Sequence, residues 1–360
     1  MEEIRLIRAP EPPESPARTR PASRPPFRIG AVQHRWHPDP AEHEAALAEG
    51  IRIAAREGAQ LVCLQELTLS RYFAVDPGGP EAAGAEPEEL PGGRSFEFAA
   101  RMAAETGVHV HASLYERSPG RDERAAQGRG DERAHREDGL GFNTAIVVSP
   151  AGQLVARTRK LHIPITAGYH EDRYFRPGPG DSDAFPLVNL ELHQILAPEQ
   201  PKFDAVREGG SVREEVRLGL PTCWDQWFPE VARAYSLEGA DVLVYPTAIG
   251  SEPDHPEFDT QPLWQQVILG NGIANGVFMV AVNRIGSEPP LTFYGSSFVS
   301  DPYGRILAQA PRDEPAVLIA DLDLDQRRDW LELFPFLTTR RPDTYARLAE
   351  QATELMQDAN

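Results

Sequence analysis

Three residues of different chemistry stand at the ends of strand-like segments. Cys223 follows Val216-Arg217-Leu218-Gly219-Leu220 and precedes a helix that the pattern starts near Phe228. A thiol at a strand-to-helix turn is held clear of the sheet. It also lies near helix N-terminal amides, which favour a thiolate and can bind an oxyanion. Glu66 follows the short apolar run Leu61-Val62-Cys63-Leu64. The carboxyl ends of parallel strands are where α/β folds place their sites, and burial raises a carboxyl pKa toward the range of a general base. Lys160 ends a strand candidate at 153–159, where an ammonium would stabilise a thiolate or a developing oxyanion. Together these groups could run sulfur attack on a carbonyl. Taken singly, each also has an inert reading: Cys223 as a small buried hydrophobe, Glu66 as a helix cap or loop ion pair, Lys160 as a surface charge.

Composition weighs on these readings. There are only two lysines, Lys160 and Lys202, beside 34 arginines. A planar guanidinium cannot replace a compact ammonium at every site, so a retained lysine draws attention. Lys202, in an irregular stretch, reads as surface. The two cysteines are too few for a disulfide framework, and Cys63, inside an apolar strand, reads as core. The net charge of −19 argues against a nucleic-acid partner. No apolar run approaches the roughly 18 residues of a membrane span. His109 and His111 alternate on one strand face, but no third residue has metal-ligand spacing. The glycines of 270–276 have the wrong spacing for a nucleotide loop, and no G-x-S-x-G elbow or Walker loop exists.

These side chains need a frame, and strands and helices alternate to give one. Residues 1–26 mix Arg, Pro and Glu and read as a disordered tail without a signal-peptide core. One ordered domain is expected over 27–350, with 351–360 as a second tail. Helices are expected at 41–57, 94–106, 228–238, 261–275 and 343–356. Strands are expected at 27–32, 61–64, 108–115, 144–149, 153–159, 216–222, 241–246, 277–283, 295–300, 305–309 and 316–322. Two segments read as insertions: 118–140, a charged loop, and 187–215, whose length is either functional or disordered. The words Glu57-Gly58-Ala59-Gln60-Leu61-Val62 and Glu238-Gly239-Ala240-Asp241-Val242-Leu243 are alike. Two similar α/β halves packed sheet on sheet would produce this echo, and so would chance recurrence of a common helix-to-strand joint.

Longer words surround the three residues. Arg159-Lys160-Leu161-His162-Ile163-Pro164 leads into Gly168-Tyr169-His170-Glu171. Pro221-Thr222-Cys223-Trp224-Asp225-Gln226-Trp227-Phe228-Pro229-Glu230 leads into Tyr245-Pro246-Thr247-Ala248-Ile249-Gly250-Ser251-Glu252-Pro253. With Asn283-Arg284-Ile285-Gly286 and Phe293-Tyr294-Gly295-Ser296-Ser297-Phe298, these resemble the nitrilase (carbon–nitrogen hydrolase) superfamily over about 27–350. The likeness is greatest to its ureido-cleaving branch, the N-carbamoylputrescine amidases and β-ureidopropionases.

The resemblance implies an α/β fold, the four-layer α-β-β-α sandwich of that superfamily. It implies Cys223 as nucleophile, Glu66 as general base and acid, Lys160 as oxyanion cation and Glu171 as a second glutamate orienting substrate or water. Trp224, Asp225, Thr247 and Glu252 are the expected substrate-binding residues. No metal or organic cofactor is implied. The expected reaction is cleavage of an N-carbamoyl amine to amine, carbon dioxide and ammonia, which points to polyamine biosynthesis. Alternatives are N-carbamoyl-β-alanine hydrolysis, an aliphatic amidase, or acyl transfer to an amine. A non-catalytic scaffold would have a damaged triad, and here all three members are present. A small-molecule substrate, a cytoplasmic setting and a homodimer or larger homo-oligomer, with no nucleic acid or membrane, complete the expectation. The distal end of the substrate decides its pocket: an ammonium would need Asp225, Glu252 or Asp254, and a carboxylate would need Arg173 or Arg284.

Overall fold

Apolar alternation along the strands sorts them into two sheets packed face to face. The computed structural model describes residues 2–118, 139–180, 183–192 and 215–350. The first sheet runs β1 (Arg5–Arg8), β17 (Ala316–Leu322), β2 (Phe27–Gln33), β3 (Leu61–Cys63), β4 (His109–Glu116), β5 (Phe142–Val148), β6 (Leu154–Arg159). The second runs β16 (Ile306–Gln309), β15 (Phe298–Ser300), β12 (Phe278–Val282), β11 (Val242–Pro246), β10 (Glu215–Gly219), β9 (Leu187–Glu191). Two short hairpins stand apart: β7 (Ile165–Thr166) with β8 (Tyr169–His170), and β13 (Ile285–Glu288) with β14 (Leu291–Tyr294).

The helices are α1 (Pro40–Arg56), α2 (Gly79–Ala83), α3 (Arg94–Thr106), α4 (Pro229–Glu238), α5 (Gln261–Asn275) and α6 (Asp325–Leu333). Inner-face residues such as Ile29, Ala31, Cys63 and Val147 meet Val216, Leu218, Val244 and Val280 between the sheets. On the outer faces, Leu47, Ile51, Phe98 and Met102 of α1 and α3 cover the first sheet. Val231, Tyr235, Trp264 and Ile268 of α4 and α5 cover the second. The layers are therefore α-β-β-α, as the alternating pattern requires when every apolar face must be covered.

The topology aims the candidate residues at one another. β2, β3 and β4 are parallel, as are β10, β11 and β12, so α1, α3, α4 and α5 are crossovers. β5 is antiparallel to β4, and β6 to β5, which returns β6 to the direction of β3. Glu66 beyond β3 and Lys160 beyond β6 thus leave the same edge of the first sheet.

Several expectations need correction. The 1–26 segment is not a free tail: β1 pairs in parallel with β17. Arg18 reaches Asp323 at 2.6 Å and Asp329 at 2.9 Å, and Arg24 reaches Asp241 at 3.1 Å. Its arginines read as solvated because their carboxylate partners lie far off in sequence. The 187–215 segment begins with a core strand, β9, whose Val188 and Leu190 pack between the sheets; residues 193–214 lie outside the described set. Of the 118–140 loop, 119–138 also lie outside it, as does the 351–360 tail. Of the helix expected at 343–356, the described part, to 350, is instead two 3-10 turns, Pro342–Thr344 and Ala346–Ala349, with Leu348 exposed. The α6 helix and the β13–β14 hairpin were not anticipated.

Candidate active site

Four residues beyond β10 the chain departs from ordinary backbone. Thr222 is extended, and Cys223 then takes φ 42° before a short 3-10 turn, Cys223–Trp227, with Pro229 opening α4. A non-glycine residue held at positive φ costs on the order of 1–3 kcal/mol and persists only where the surroundings enforce it. Leu67, directly after Glu66, is held likewise at φ 48°. The expected strand-to-helix turn at Cys223 is thus a separate tight turn ahead of the helix.

Glu66, Lys160 and Glu171 meet in a fully buried cage. The Lys160 Nζ donates to Glu66 Oε1 at 3.0 Å and to Glu171 Oε1 and Oε2 at 2.9 and 2.8 Å. Glu66 Oε1 also accepts from Asn143 Nδ2 at 2.7 Å, and Glu171 Oε1 from the Tyr72 hydroxyl at 2.8 Å. Glu66 Oε2 has no hydrogen-bond partner among the described residues. Two carboxylates share one ammonium away from water. Burial pushes Glu171 up to about 7, with Lys160 opposing and Glu66 adding to the rise. Burial alone would lower Lys160, but Glu171 and Glu66 reverse this and hold it above the ordinary lysine value.

Cys223 lies within the field of this cage. Burial, then Glu66, pushes its thiol well above the ordinary value, while Lys160 and a hydrogen bond from the Ala248 backbone pull the other way. The resting sulfur is therefore a thiol, and attack requires a base to take its proton. Glu66 is a carboxylate nearby with an uncommitted oxygen. Cys63 lies inside β3 and in the inter-sheet core, and burial raises its thiol too.

The substrate-binding expectations fare unevenly. Asp225 is buried and bound to the protein itself. Its Oδ1 accepts from His162 N at 3.0 Å and His162 Nδ1 at 2.8 Å, and its Oδ2 from Thr222 N at 3.1 Å and Leu161 N at 3.4 Å. Thr247 is buried, with its hydroxyl on the Val282 carbonyl at 3.3 Å. Trp224 is half-buried and meets Trp227 edge to face at 6.3 Å. Glu252 accepts from the Thr260 hydroxyl at 3.2 Å and lies in the electrostatic reach of Tyr169 and Tyr294, both of which also feel Cys223. Arg284 is committed elsewhere: it donates to the carbonyls of Glu66, Leu67 and Ser70 and pairs with Glu288 at 2.8 Å. Arg173 is largely exposed beside Asp172.

The family model for carbon-nitrogen hydrolase matches residues 28–332. The chain belongs to that family. A tomato (Solanum lycopersicum) N-carbamoylputrescine amidase is 32% identical over 325 residues, spanning 88% of this chain and 93% of that protein. A citrullinase from Francisella tularensis is 30% identical over 327 residues, 89% of this chain and 96% of that one. The crystal structure of a carbon-nitrogen hydrolase from Helicobacter pylori G27 superposes with a TM-score of 0.68 at 28% identity, covering 91% of this chain and all of that one.

This carbon–nitrogen hydrolase also uses residues that the sequence reading passed over. Asn143 steers Glu66 and, through its carbonyl, accepts from Lys160 N at 2.8 Å. The signal was an amide side chain inside the largely apolar Phe142–Val148 strand. Tyr72 steers Glu171, and its own N–H donates to Glu288 at 2.6 Å, the carboxylate that Arg284 holds. Arg284 had a signal, the Asn283-Arg284 word, but not one for its actual role as a clasp on the loop that carries Glu66. Among the described residues no group of three or more His, Cys, Asp or Glu is arranged to hold a metal ion, and no helix is long and apolar enough to cross a membrane.

Proposed function

We propose that this hydrolase cleaves the ureido group of N-carbamoyl amines through a Cys223 nucleophile. The observation that carries the chemistry is the buried Glu66–Lys160–Glu171 cage beside a protonated, strained cysteine. The free oxygen of Glu66 takes the thiol proton as sulfur bonds to the ureido carbonyl. Lys160 and the Trp224 backbone N–H hold the oxyanion, and Glu171 fixes the ammonium. Collapse expels ammonia or the amine, protonated by Glu66. Water, giving its proton to the same carboxylate, then cleaves the carbamoyl thioester and releases the sulfur. The products are amine, carbon dioxide and ammonia.

Two similarities support a ureido substrate with a cationic far end. Carbamoylputrescine and citrulline, the compounds in the names of two relatives, both carry a terminal ureido group and a protonated amine, which in citrulline stands beside an α-carboxylate. Glu252, grouped with Tyr169 and Tyr294 near Cys223, is a carboxylate able to meet that amine. Arg284, the guanidinium a carboxylate end would need, is occupied by backbone carbonyls. A homodimer through the α4 and α5 faces, where Leu237, Leu263 and Ile273 are exposed, is part of the same proposal and is read by light scattering.

Ammonia release tests the substrate. A correctly paired charge is worth about 1.5–3 kcal/mol, so kcat/KM for N-carbamoylputrescine should exceed that for N-carbamoyl-β-alanine at least tenfold, by about that energy. Glu252→Gln should remove most of this preference. A tenfold preference for the β-alanine compound would reverse the charge assignment, and inactivity on both compounds and on citrulline would overturn the ureido reading.

A further inference from the structure

The structure assigns to Asp225 and His162 a joint positioning role: they latch the strand end carrying Lys160 to the turn carrying Cys223. The inference rests on the reading of Cys223 as nucleophile and Lys160 as its cation. Those two residues belong to different sheets, with Lys160 beyond β6 of the first and Cys223 beyond β10 of the second. The carboxylate cage fixes the ammonium relative to the first sheet. Asp225 spans the gap to the second. Its side chain is 1% exposed, and one oxygen takes two N–H groups of His162 while the other takes the N–H groups of Leu161 and Thr222. Leu161 and His162 directly follow Lys160, and Thr222 directly precedes Cys223. Because a carboxylate only accepts, the His162 Nδ1 donates. Phe228, at the end of the same turn, stacks on the His162 ring at 3.6 Å and 11°. The imidazole is thus gripped on its edge by Asp225 and on its face by Phe228. Four donors satisfy the buried carboxylate, so the expectation that Asp225 receives a substrate ammonium is replaced by this structural employment.

The positioning matters because attack depends on an ammonium-to-sulfur geometry that misplacement by about 1 Å would degrade by roughly a hundredfold. His162 is the better place to test it, since its side chain is 34% exposed and its loss leaves the core intact. Three variants are compared: His162→Ala, His162→Asn and Asp225→Asn. In His162→Asn the side-chain amide N–H can take the place of the imidazole Nδ1–H. Two quantities are measured: kcat and KM on the best N-carbamoyl substrate, and the rate of Cys223 alkylation by iodoacetamide followed by intact mass. In that alkylation the sulfur forms an S–C bond, iodide leaves, and Glu66 takes the thiol proton.

His162→Ala should lower kcat and the alkylation rate about tenfold each, with KM little changed. His162→Asn should recover most of both. Asp225→Asn should lower both by about a hundredfold or more, since its amide would set N–H against N–H. Wild-type kcat and alkylation in His162→Ala would overturn the proposal. So would a loss confined to KM, or a His162→Asn variant as impaired as His162→Ala. Alkylation needs no ureido compound, so a wrong substrate class leaves this test standing. Modification of Cys63 instead of Cys223 would mean that the nucleophile reading itself had failed.

Discussion

The joint from α1 into β3 and the joint from α4 into β11 are built alike. Gly58 and Gly239 stop their helices at φ 80° and 95°. Ala59 N then bonds Ala54 O, and Ala240 N bonds Tyr235 O. Gln60 N reaches the Arg28 carbonyl of β2, and Asp241 N the Arg217 carbonyl of β10, each at 2.8 Å. Even the glycines beneath the helices correspond: a Cβ on Gly30 would stand 2.9 Å from Ala54, and one on Gly219 would stand 2.6 Å from Tyr235. The order β17-β2-β3-β4-β5-β6 is matched by β9-β10-β11-β12-β15-β16, with the same parallel and antiparallel senses. The echo in the sequence is therefore a repeated frame, not a recurring joint alone.

What differs is the load on the strand ends. Beyond β3 the first half carries Glu66, where the second half has Thr247 with its hydroxyl on the Val282 carbonyl. Beyond β2 the first half has His34, where the second has Cys223. The lesson is that packing sets the frame twice, while each half keeps its own chemical group. In the proposed mechanism the first supplies acid, base and cation, and the second supplies sulfur.

The comparison breaks most visibly at the two thiols. Cys223→Ala should reduce turnover at least about a thousandfold with the fold retained, as seen by ammonia release beside a thermal melt. If Cys63→Ala is the dead variant, the division of labour is reversed. Glu66→Gln should fail nearly as badly, roughly a thousandfold, with no acylation burst in rapid mixing, because the thiol proton has no acceptor. A normal burst would place the base elsewhere. Lys160→Arg should lose about a hundredfold in kcat, since the larger planar head cannot fill a three-bond ammonium cage. Near-normal kinetics would show that any cation suffices.

A smaller effect concerns stability and pH. Glu171 is held near 7 in the folded chain against an ordinary 4.5, so between those values the native state keeps a proton that the unfolded chain has lost. This group's contribution to stability therefore falls as pH rises through that window. Relative to the parent, the urea midpoint of Glu171→Gln should rise as pH increases across that window. The smallest change is expected of Cys63→Ala, about 1 kcal/mol in stability with activity kept, the cost of a small gap between the sheets.

Legibility followed the physics of each element. The strands and helices of the frame were readable because their apolar residues recur with the period of the structure, and α5 falls at 261–275 as expected. Helix α6 was hidden because its buried face is polar: Arg327 is spent on the Asn275 and Gly276 carbonyls and on Ser236. Within the cage, Lys160 stood out as a rare type at a strand end and Glu66 as an acid beyond a buried apolar strand, whereas Glu171 came only with the family resemblance. Asp225 and Arg284 carry the same letters whether they hold a substrate or the backbone, so their partners were invisible until the chain was folded. Segment 1–26 misled for a related reason, since Ile4, Leu6 and Ile7 are too short a pattern to announce a strand.

The pairing of that short strand has a colloidal consequence. Without β1, Ala316–Leu322 would form a sheet edge with unpaired backbone groups along Ala316-Val317-Leu318-Ile319. A long apolar edge is a template for adding strands from other molecules. Arg5 and Arg8 of β1 instead carry charge on the outermost strand, with Arg8 paired to Glu57. Trimming residues 2–9 would therefore be felt first as aggregation on storage and concentration, before any change in the rate per intact molecule.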